Sequence, residues 1–228
     1  MRISELSRRS GVPVATIKYY LREGLMPPGR STAATQADYN QAHLRRLRLV
    51  RALSEVGGLS LASVRAILTA VDDPNLGLHE ILGQTHHALA GDVGSATDDP
   101  DWPAARAEVD ALLDELGWHV NTRAPARDQL ARALLTLRRL DASPTNEELR
   151  PYASAAQTLA AHELALLATS AESDASVSDL VQRAVIGTVL YEPVLLALRR
   201  LAEEHESARR LHPPDQTLTP EQPCWPRT

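Results

Sequence analysis

Val12-Pro13-Val14-Ala15-Thr16-Ile17-Lys18-Tyr19-Tyr20 is the stretch on which the reading of this chain turns. It follows a short amphipathic segment, Ile3 to Ser10, and a single Gly11. A helix, a tight glycine-containing turn and a second helix make a helix-turn-helix, the motif that lays its second helix in a DNA major groove. Pro13 suits the first helical position, because it brings no N–H and its φ is already fixed there. From that start Val14, Ala15, Lys18 and Tyr19 share a face, while Ile17 and Leu21, four apart, point back at a core. The outward face is small, apolar or cationic, which matches base edges and phosphates.

Charge supports that reading. Residues 1–71 carry 11 Lys/Arg against 4 Asp/Glu, a net +7, and the remaining 157 residues carry a net −12. A basic module joined to an acidic one is expected when one part meets phosphates and the other does not. The 228 residues suffice for two modest domains with cores. Cys224 is the single cysteine and sits in a proline-rich tail, so one chain builds neither a disulfide framework nor a Cys-based metal cage. Met1-Arg2 runs straight into the first helix without a secretory signal, and no apolar run reaches the roughly 20 residues that span a bilayer. The expectation is a soluble cytoplasmic protein with no membrane partner. One lysine against 23 arginines, with much Ala and Leu, suggests a G+C-rich bacterial genome.

Outward from the opening stretch, Ile3 to Ser10 reads as helix one with Ile3 and Leu6 inward and Gly11 as its stop. Helix two runs from about Pro13 to Glu23, and Gly24 followed by Leu25-Met26-Pro27-Pro28 ends it. Gly29 to Tyr39, short and polar and carrying Arg30, fits a β-hairpin or loop. Asn40 caps a third helix, Gln41 to about Val56, in which Leu44, Leu47, Val50 and Leu53 keep the helical period while Arg45, Arg46 and Arg48 decorate the other sides. Gly57-Gly58 breaks it. Ser60 caps a fourth, Leu61 to Val71, with Val64, Ile67 and Leu68 inward.

Residues 3–71 resemble the winged-helix DNA-binding domain of the MerR family of bacterial transcription regulators. The resemblance rests on Ile3-Ser4-Glu5-Leu6, Ser10-Gly11-Val12, Thr16-Ile17-Lys18-Tyr19-Tyr20, Glu23-Gly24-Leu25-Met26-Pro27-Pro28, Leu44 to Leu47, and the run from Gly58 to Leu61. It covers about 30% of the chain. It implies that the second helix, from Pro13 through Tyr19, enters the major groove with Thr16, Lys18 and Tyr19 on phosphates or base edges, Tyr20 mainly packing. It assigns Arg30 and Tyr39 to the first wing and has Ser60 present a helix N-terminus to a phosphate, which the helix dipole favours. The family's first wing usually carries Gly-Tyr-Arg before its last tyrosine. Here the stretch is Ala34-Thr35-Gln36-Ala37-Asp38-Tyr39, one cation poorer and with Asp38, which phosphate repels, so helix two with Arg45 and Arg46 is expected to compensate.

The family resemblance also implies a helix that pairs antiparallel with its mate, and the candidate is Leu76 to Ala90, with Leu78, Leu82, Thr85 and Leu89 on 4,3,4 spacing. His79, His86 and His87 sit on it and read as solvated or interfacial rather than metal-binding; no metal site and no cofactor is expected. Gly91 to Asp101 reads as linker. Beyond it the pattern is helical throughout. Asp101 caps a helix that Gly117 ends, Pro125 to Leu140 forms another, and Ser143-Pro144 with Glu147 opens a third that Pro151 restarts as Tyr152 to Ala171. The last starts near Ser176, meets Pro193 and reaches about Leu211; Val185 to Leu198 is apolar nearly all round and is expected to be buried on most sides. The proline-rich stretch to Thr228 reads as an extended or disordered tail.

The expected fold is therefore all-α dominated: a winged helix-turn-helix with a small β-hairpin over 1–72, a connecting helix and linker over 73–101, an all-helical dimerisation and effector domain over 102–211, and a tail over 212–228. That second domain shows no catalytic constellation, and its closing helix pair resembles TetR-type regulators in style rather than motif. Trp102, Trp118, Tyr152, Glu163, Tyr191 and Glu192 are candidates to line a pocket for a small apolar effector, with ordinary core packing as the alternative for each. The function expected is a dimeric regulator that distorts promoter DNA and works with RNA polymerase, not an enzyme. The alternative is an architectural or partner-recruiting DNA-binding protein that needs no effector.

Overall fold

The computed structural model describes residues 1–33, 36–90, 99–171 and 177–211. Cys224 and the tail over 212–228, most of the Gly91–Asp101 linker, Ala34, Thr35 and Ser176 lie outside the described residues.

Helix α1 (Ile3–Ser10) ends on Gly11, whose φ of +69° lets its N–H reach the Ser7 carbonyl. The Ser10 hydroxyl accepts the Val12 N–H at 3.2 Å and the Ser7 hydroxyl donates to the Val12 carbonyl at 2.6 Å, so side chains satisfy the turn. Helix α2 (Val14–Arg22) begins one residue later than expected: Pro13 has an extended ψ of 144° and its carbonyl accepts the first helical bond, from Ile17 at 3.0 Å. Pro13 is the cap and not the first helical residue; it fixes the chain's entry angle. Strands β1 (Arg30–Ala33) and β2 (Gln36–Asp38) pair antiparallel, Arg30 opposite Asp38 and Ser31 opposite Ala37, giving the expected hairpin.

Helix α3 (Gln41–Arg51) opens with a reciprocal cap in which Asn40 Oδ1 accepts the His43 N–H and His43 Nδ1 accepts the Asn40 N–H. Its continuation, Ala52–Val56, widens into a π-turn closed by a 3.0 Å bond from the Gly57 N–H to the Ala52 carbonyl. Helix α4 (Leu61–Asp72) is capped by Ser60, which accepts the Ser63 N–H at 3.1 Å. Helix α5 (Leu78–Ala90) turns inward a face that shares Thr85 and Leu89 with the stripe its spacing suggests and adds Ile81. Ile81 and Thr85 are fully buried, Leu89 is partly buried beside them, and Leu78 is exposed. Thr85 is admitted because its hydroxyl donates to the Ile81 carbonyl at 2.8 Å. Leu82, the remaining member of the expected stripe, is half-buried.

These elements share one core built on Leu6, Ile17, Leu25, Leu47, Leu53 and Ile67, joined by Ile81 from α5 and by Val181, Val185 and Val189 from the last helix. A second, smaller core lies between α6 (Trp102–Leu116) and α7 (Pro125–Arg139), made by Ala105, Val109, Leu113, Ala131, Leu134 and Leu135. Asp101 stands at the α6 cap position without a side-chain cap bond; instead Asp99 Oδ1 accepts the Asp101 N–H at 3.1 Å. Helix α8 (Asn146–Ala171) is one helix with Pro151 inside it. Its capping box is Thr145 with Glu148, not Ser143 with Glu147: Glu148 Oε2 accepts the Thr145 N–H at 2.8 Å and the Thr145 hydroxyl accepts the Glu148 N–H at 3.3 Å. The correction follows from Pro144, which lacks the N–H that the acid of such a box accepts when the cap is one residue later.

Helix α9 (Val177–Leu211) continues through Pro193. By length and composition Asp179–Arg210 is apolar enough to cross a membrane, which corrects the expectation that no stretch reaches that length. Val181, Ala184, Val185 and Val189 are instead buried in protein. The burial expected for Val185 to Leu198 holds only for its first part: Tyr191, Val194, Leu195, Leu196 and Leu198 are exposed. The chain divides into two compact units at that point, Met1–Leu190 and Tyr191–Thr228.

Candidate nucleic-acid interface

Helix α2 is held from below and free above. Ile17 and Tyr20 face the core, whereas Pro13, Ala15, Lys18 and Tyr19 are exposed and Val14 and Thr16 half-buried. Burial, and then the nearby Glu55 carboxylate, push the Tyr20 phenol above its usual pKa, so Tyr20 packs as a neutral group. On the free face the Arg22 guanidinium lies 6.0 Å from the centroid of the Tyr19 ring. Sequence reading passed over Arg22. Its signal was the three-residue spacing from Tyr19, which puts the two on one helical face.

The cations of residues 1–71 fall into two groups. Arg2 pairs with Asp38, Arg9 with Glu5, Arg46 with Asp72, Arg51 with Glu55 and Arg65 with Glu23. The Arg51 guanidinium holds the Glu55 carboxyl below the usual carboxylate range. Arg8, Lys18, Arg22, Arg30, Arg45 and Arg48 make no ion pair among the described residues. A cation with no carboxylate partner keeps its full attraction for phosphate, and the second group is the one available to it.

This sorting separates the candidates. Lys18, Arg30 and Arg45 are exposed and unpaired. Arg46 is a strut: its side chain is only 13% exposed, Nε donates to the Leu25 carbonyl at 3.0 Å, and the two Nη atoms grip Asp72 at 3.1 and 2.6 Å. It ties α3 to the turn after α2 and to the end of α4. Tyr39 is not presented by the wing. It is 8% exposed, its ring meets His43 edge-on at 5.2 Å, and its backbone exchanges bonds with Met1 at 2.8 and 2.7 Å. Tyrosine at the foot of the hairpin anchors it to the core, a placement that sequence alone does not distinguish from a contact. Ser60 is exposed at the α4 N-terminus, with its hydroxyl engaged by Ser63.

Among the effector candidates, Trp102 and Trp118 flank the α6/α7 core, partly buried. Tyr152 is exposed and borders a shallow groove with Pro144, Glu148 and Pro151. Glu163 is half-buried on α8, and Tyr191 and Glu192 are exposed on α9. Among the described residues no three His, Cys, Asp or Glu side chains are grouped as a metal would require.

Comparison with known proteins places this geometry. Residues 1–71 match the model of the MerR HTH family regulatory proteins. Two curated relatives align with that same part: an HTH-type transcriptional regulator, ZntR homolog, of Haemophilus influenzae, 34% identical over 68 residues (30% of this chain, 50% of the relative), and the mercuric resistance operon regulatory protein of Bacillus cereus, 35% identical over 71 residues (31% and 53%). The chain thus spans about half the length of these curated relatives. A wider likeness is to the crystal structure of SCO5550 from Streptomyces coelicolor A3(2), described as an inferred transcriptional regulator: 45% identity, a TM-score of 0.68, and coverage of 92% of this chain and 97% of that one. With a helix-turn-helix, a hairpin wing and their supporting helices in place, residues 1–71 are a helix-turn-helix domain of the MerR family of regulatory proteins.

Proposed function

We propose that the chain is a sequence-specific regulator that binds promoter DNA as a homodimer, with α2 in the major groove and the two heads engaging half-sites of one operator. The observation that carries this is the free face of α2, where Lys18, Tyr19 and Arg22 stand on a helix whose other side, Ile17 and Tyr20, is locked into the core. Reading two half-sites together requires a dimer, and distorting the DNA between them lets one protein change how RNA polymerase meets the promoter. The curated relatives, regulators by name, support the same class. No step in this function needs catalysis or a cofactor, and it places the protein in the cytoplasm with its DNA. Exposed Arg30 and Arg45 would grip flanking phosphates, with Arg30 compensating at the wing for Asp38.

A small apolar effector acting on the helices beyond residue 101 belongs to this reading; an effector-independent architectural or partner-recruiting protein is the other. The placement of Trp102 and Trp118 at the α6/α7 core, with Tyr152 exposed at a surface groove, favours the second. The test of DNA binding is its salt dependence. Log affinity for the operator should fall linearly with log salt, and Lys18→Ala should cost about 1–3 kcal/mol if it contacts a base. Affinity independent of salt would refute the proposal. A thermal shift in the presence of lipophilic cations or other apolar compounds would separate the two readings.

A further inference from the structure

A long apolar stripe runs uncovered along the later part of α9. From Tyr191 onward α9 exposes Tyr191 (48%), Val194 (50%), Leu198 (58%) and Leu201 (61%), spaced three and four apart. His205 and Ala208 extend the series, so six positions repeat every 3.5 residues along about 26 Å of helix. Exposed Leu195 widens the stripe. Soluble protomers rarely leave so contiguous an apolar surface without a partner.

The charges beside the stripe say what that partner is. Along this part of the helix Arg199 pairs with Glu203, and Arg209 and Arg210 both pair with Glu206, but Glu204 has no ion-pair partner among the described residues. With Tyr191, Leu198 and His205 at heptad position a, and Val194, Leu201 and Ala208 at d, Glu204 occupies g and Arg209 the following e. In a parallel pair of helices a g residue faces the mate's e residue five positions later. Glu204 then meets the mate's Arg209, and symmetry makes the contact twice. In an antiparallel pair aligned on the same residues, Glu204 would instead face the mate's Ala197, the other g position, and gain no charge partner.

We infer that the occupant is a second copy of this chain, and that residues 191–208 of α9 pair in parallel with their counterparts about a two-fold axis along the helix. This rests on the homodimer proposed above and assigns its surface. It is separate from the antiparallel pairing expected for the helix after the head, in which Ile81, Thr85 and Leu89 pack within their own protomer.

Sedimentation equilibrium of the full chain tests it. Leu198→Glu with Leu201→Glu removes four leucines per dimer from the seam and should raise the dimer Kd by about a hundredfold or more. Leu198→Ala with Leu201→Ala, which keeps the helix, should raise it in the same direction. Glu204→Arg and Arg209→Glu should each weaken association several-fold, and the double variant should return to near the original Kd. A parent chain that stays monomeric at every concentration overturns both this inference and the homodimer. A dimer indifferent to the leucine changes overturns the seam alone. Singles that weaken while the double fails to recover overturn the parallel register.

Discussion

The head and the long helices handle the same kind of residue in opposite ways. Around α2 the large apolar side chains, Leu6, Ile17, Leu25, Leu47 and Leu53, are all but inaccessible, and even α5 and the first part of α9 are drawn into that core. On α8 and the later part of α9, Leu159, Leu164, Leu166, Leu198 and Leu201 are open. A module that must hold one helix against DNA needs rigidity, which close packing supplies. A module that meets another molecule has to keep its apolar surface until that molecule arrives. Under the seam inferred above, the difference between the two regions is one of when burial happens.

Core truncation should break this comparison most visibly. Leu53→Ala should destabilise the head by about 2–5 kcal/mol in denaturant unfolding. Val185→Ala, far away in sequence but in the same core, should lower the same transition. Leu159→Ala should leave protomer stability within about 0.5 kcal/mol. If Val185→Ala were as silent as Leu159→Ala, α9 would not belong to the head.

A narrower test lies where α9 meets the π-turn. A Cβ added at Gly57 would collide with Val189 Cγ1 and stand 2.7 Å from the Leu53 carbonyl oxygen. Gly57→Ala should cost about 1–3 kcal/mol. Adding Val189→Ala to it should return part of that loss, because one of the two obstructing groups is gone. Strict additivity of the two losses would show that they are uncoupled.

The cations give a smaller contrast, divided by what each one touches. Arg46→Ala should lower stability by roughly 1–2 kcal/mol, since it leaves the Leu25 carbonyl and Asp72 without their donor. Arg45→Ala should leave stability unchanged and reduce the slope of log affinity against log salt by about one. Reversed outcomes would exchange the roles of strut and phosphate contact.

The adjacent arginines also show what was legible in the sequence. The helix-turn-helix, its Gly11 and Gly24 stops, the Asn40 and Ser60 caps and the hairpin rest on local chemistry, a positive φ or a side-chain acceptor, that a few neighbouring residues determine. The exposed face of α2 followed from the same periodicity. Arg46 did not, because its partner Asp72 is 26 residues away. The burial of Tyr39 and of Ile81 escaped for the same reason: which side of an element faces the core depends on a neighbour that local spacing does not specify. The first part of α9 was read correctly as buried, but its destination, the head, is set by contacts more than a hundred residues apart.

The smallest expected effect is acid-sensitive and sits at the edge of the smaller core. Hydrogen bonds from the Thr145 N–H and then the Thr145 hydroxyl hold the Glu148 carboxyl below the usual glutamate range. The Asp101 N–H and then Arg139 do the same for Asp99. A carboxyl whose folded pKa is depressed contributes stability that is present above its unfolded pKa and is lost as the pH falls through the folded value. For Glu148 the loss should begin below about pH 4.3, the ordinary glutamate value, and should be localised at the start of α8. Both groups are exposed, so salt should weaken the effect. The Thr145 amide proton reports it directly: its NMR shift should titrate with a midpoint below that of an unstructured glutamate, and Glu148→Gln should abolish the titration. A midpoint at the ordinary value would mean that the cap does not favour the ionised carboxylate. The start of α8 would then depend on packing alone, as the head does.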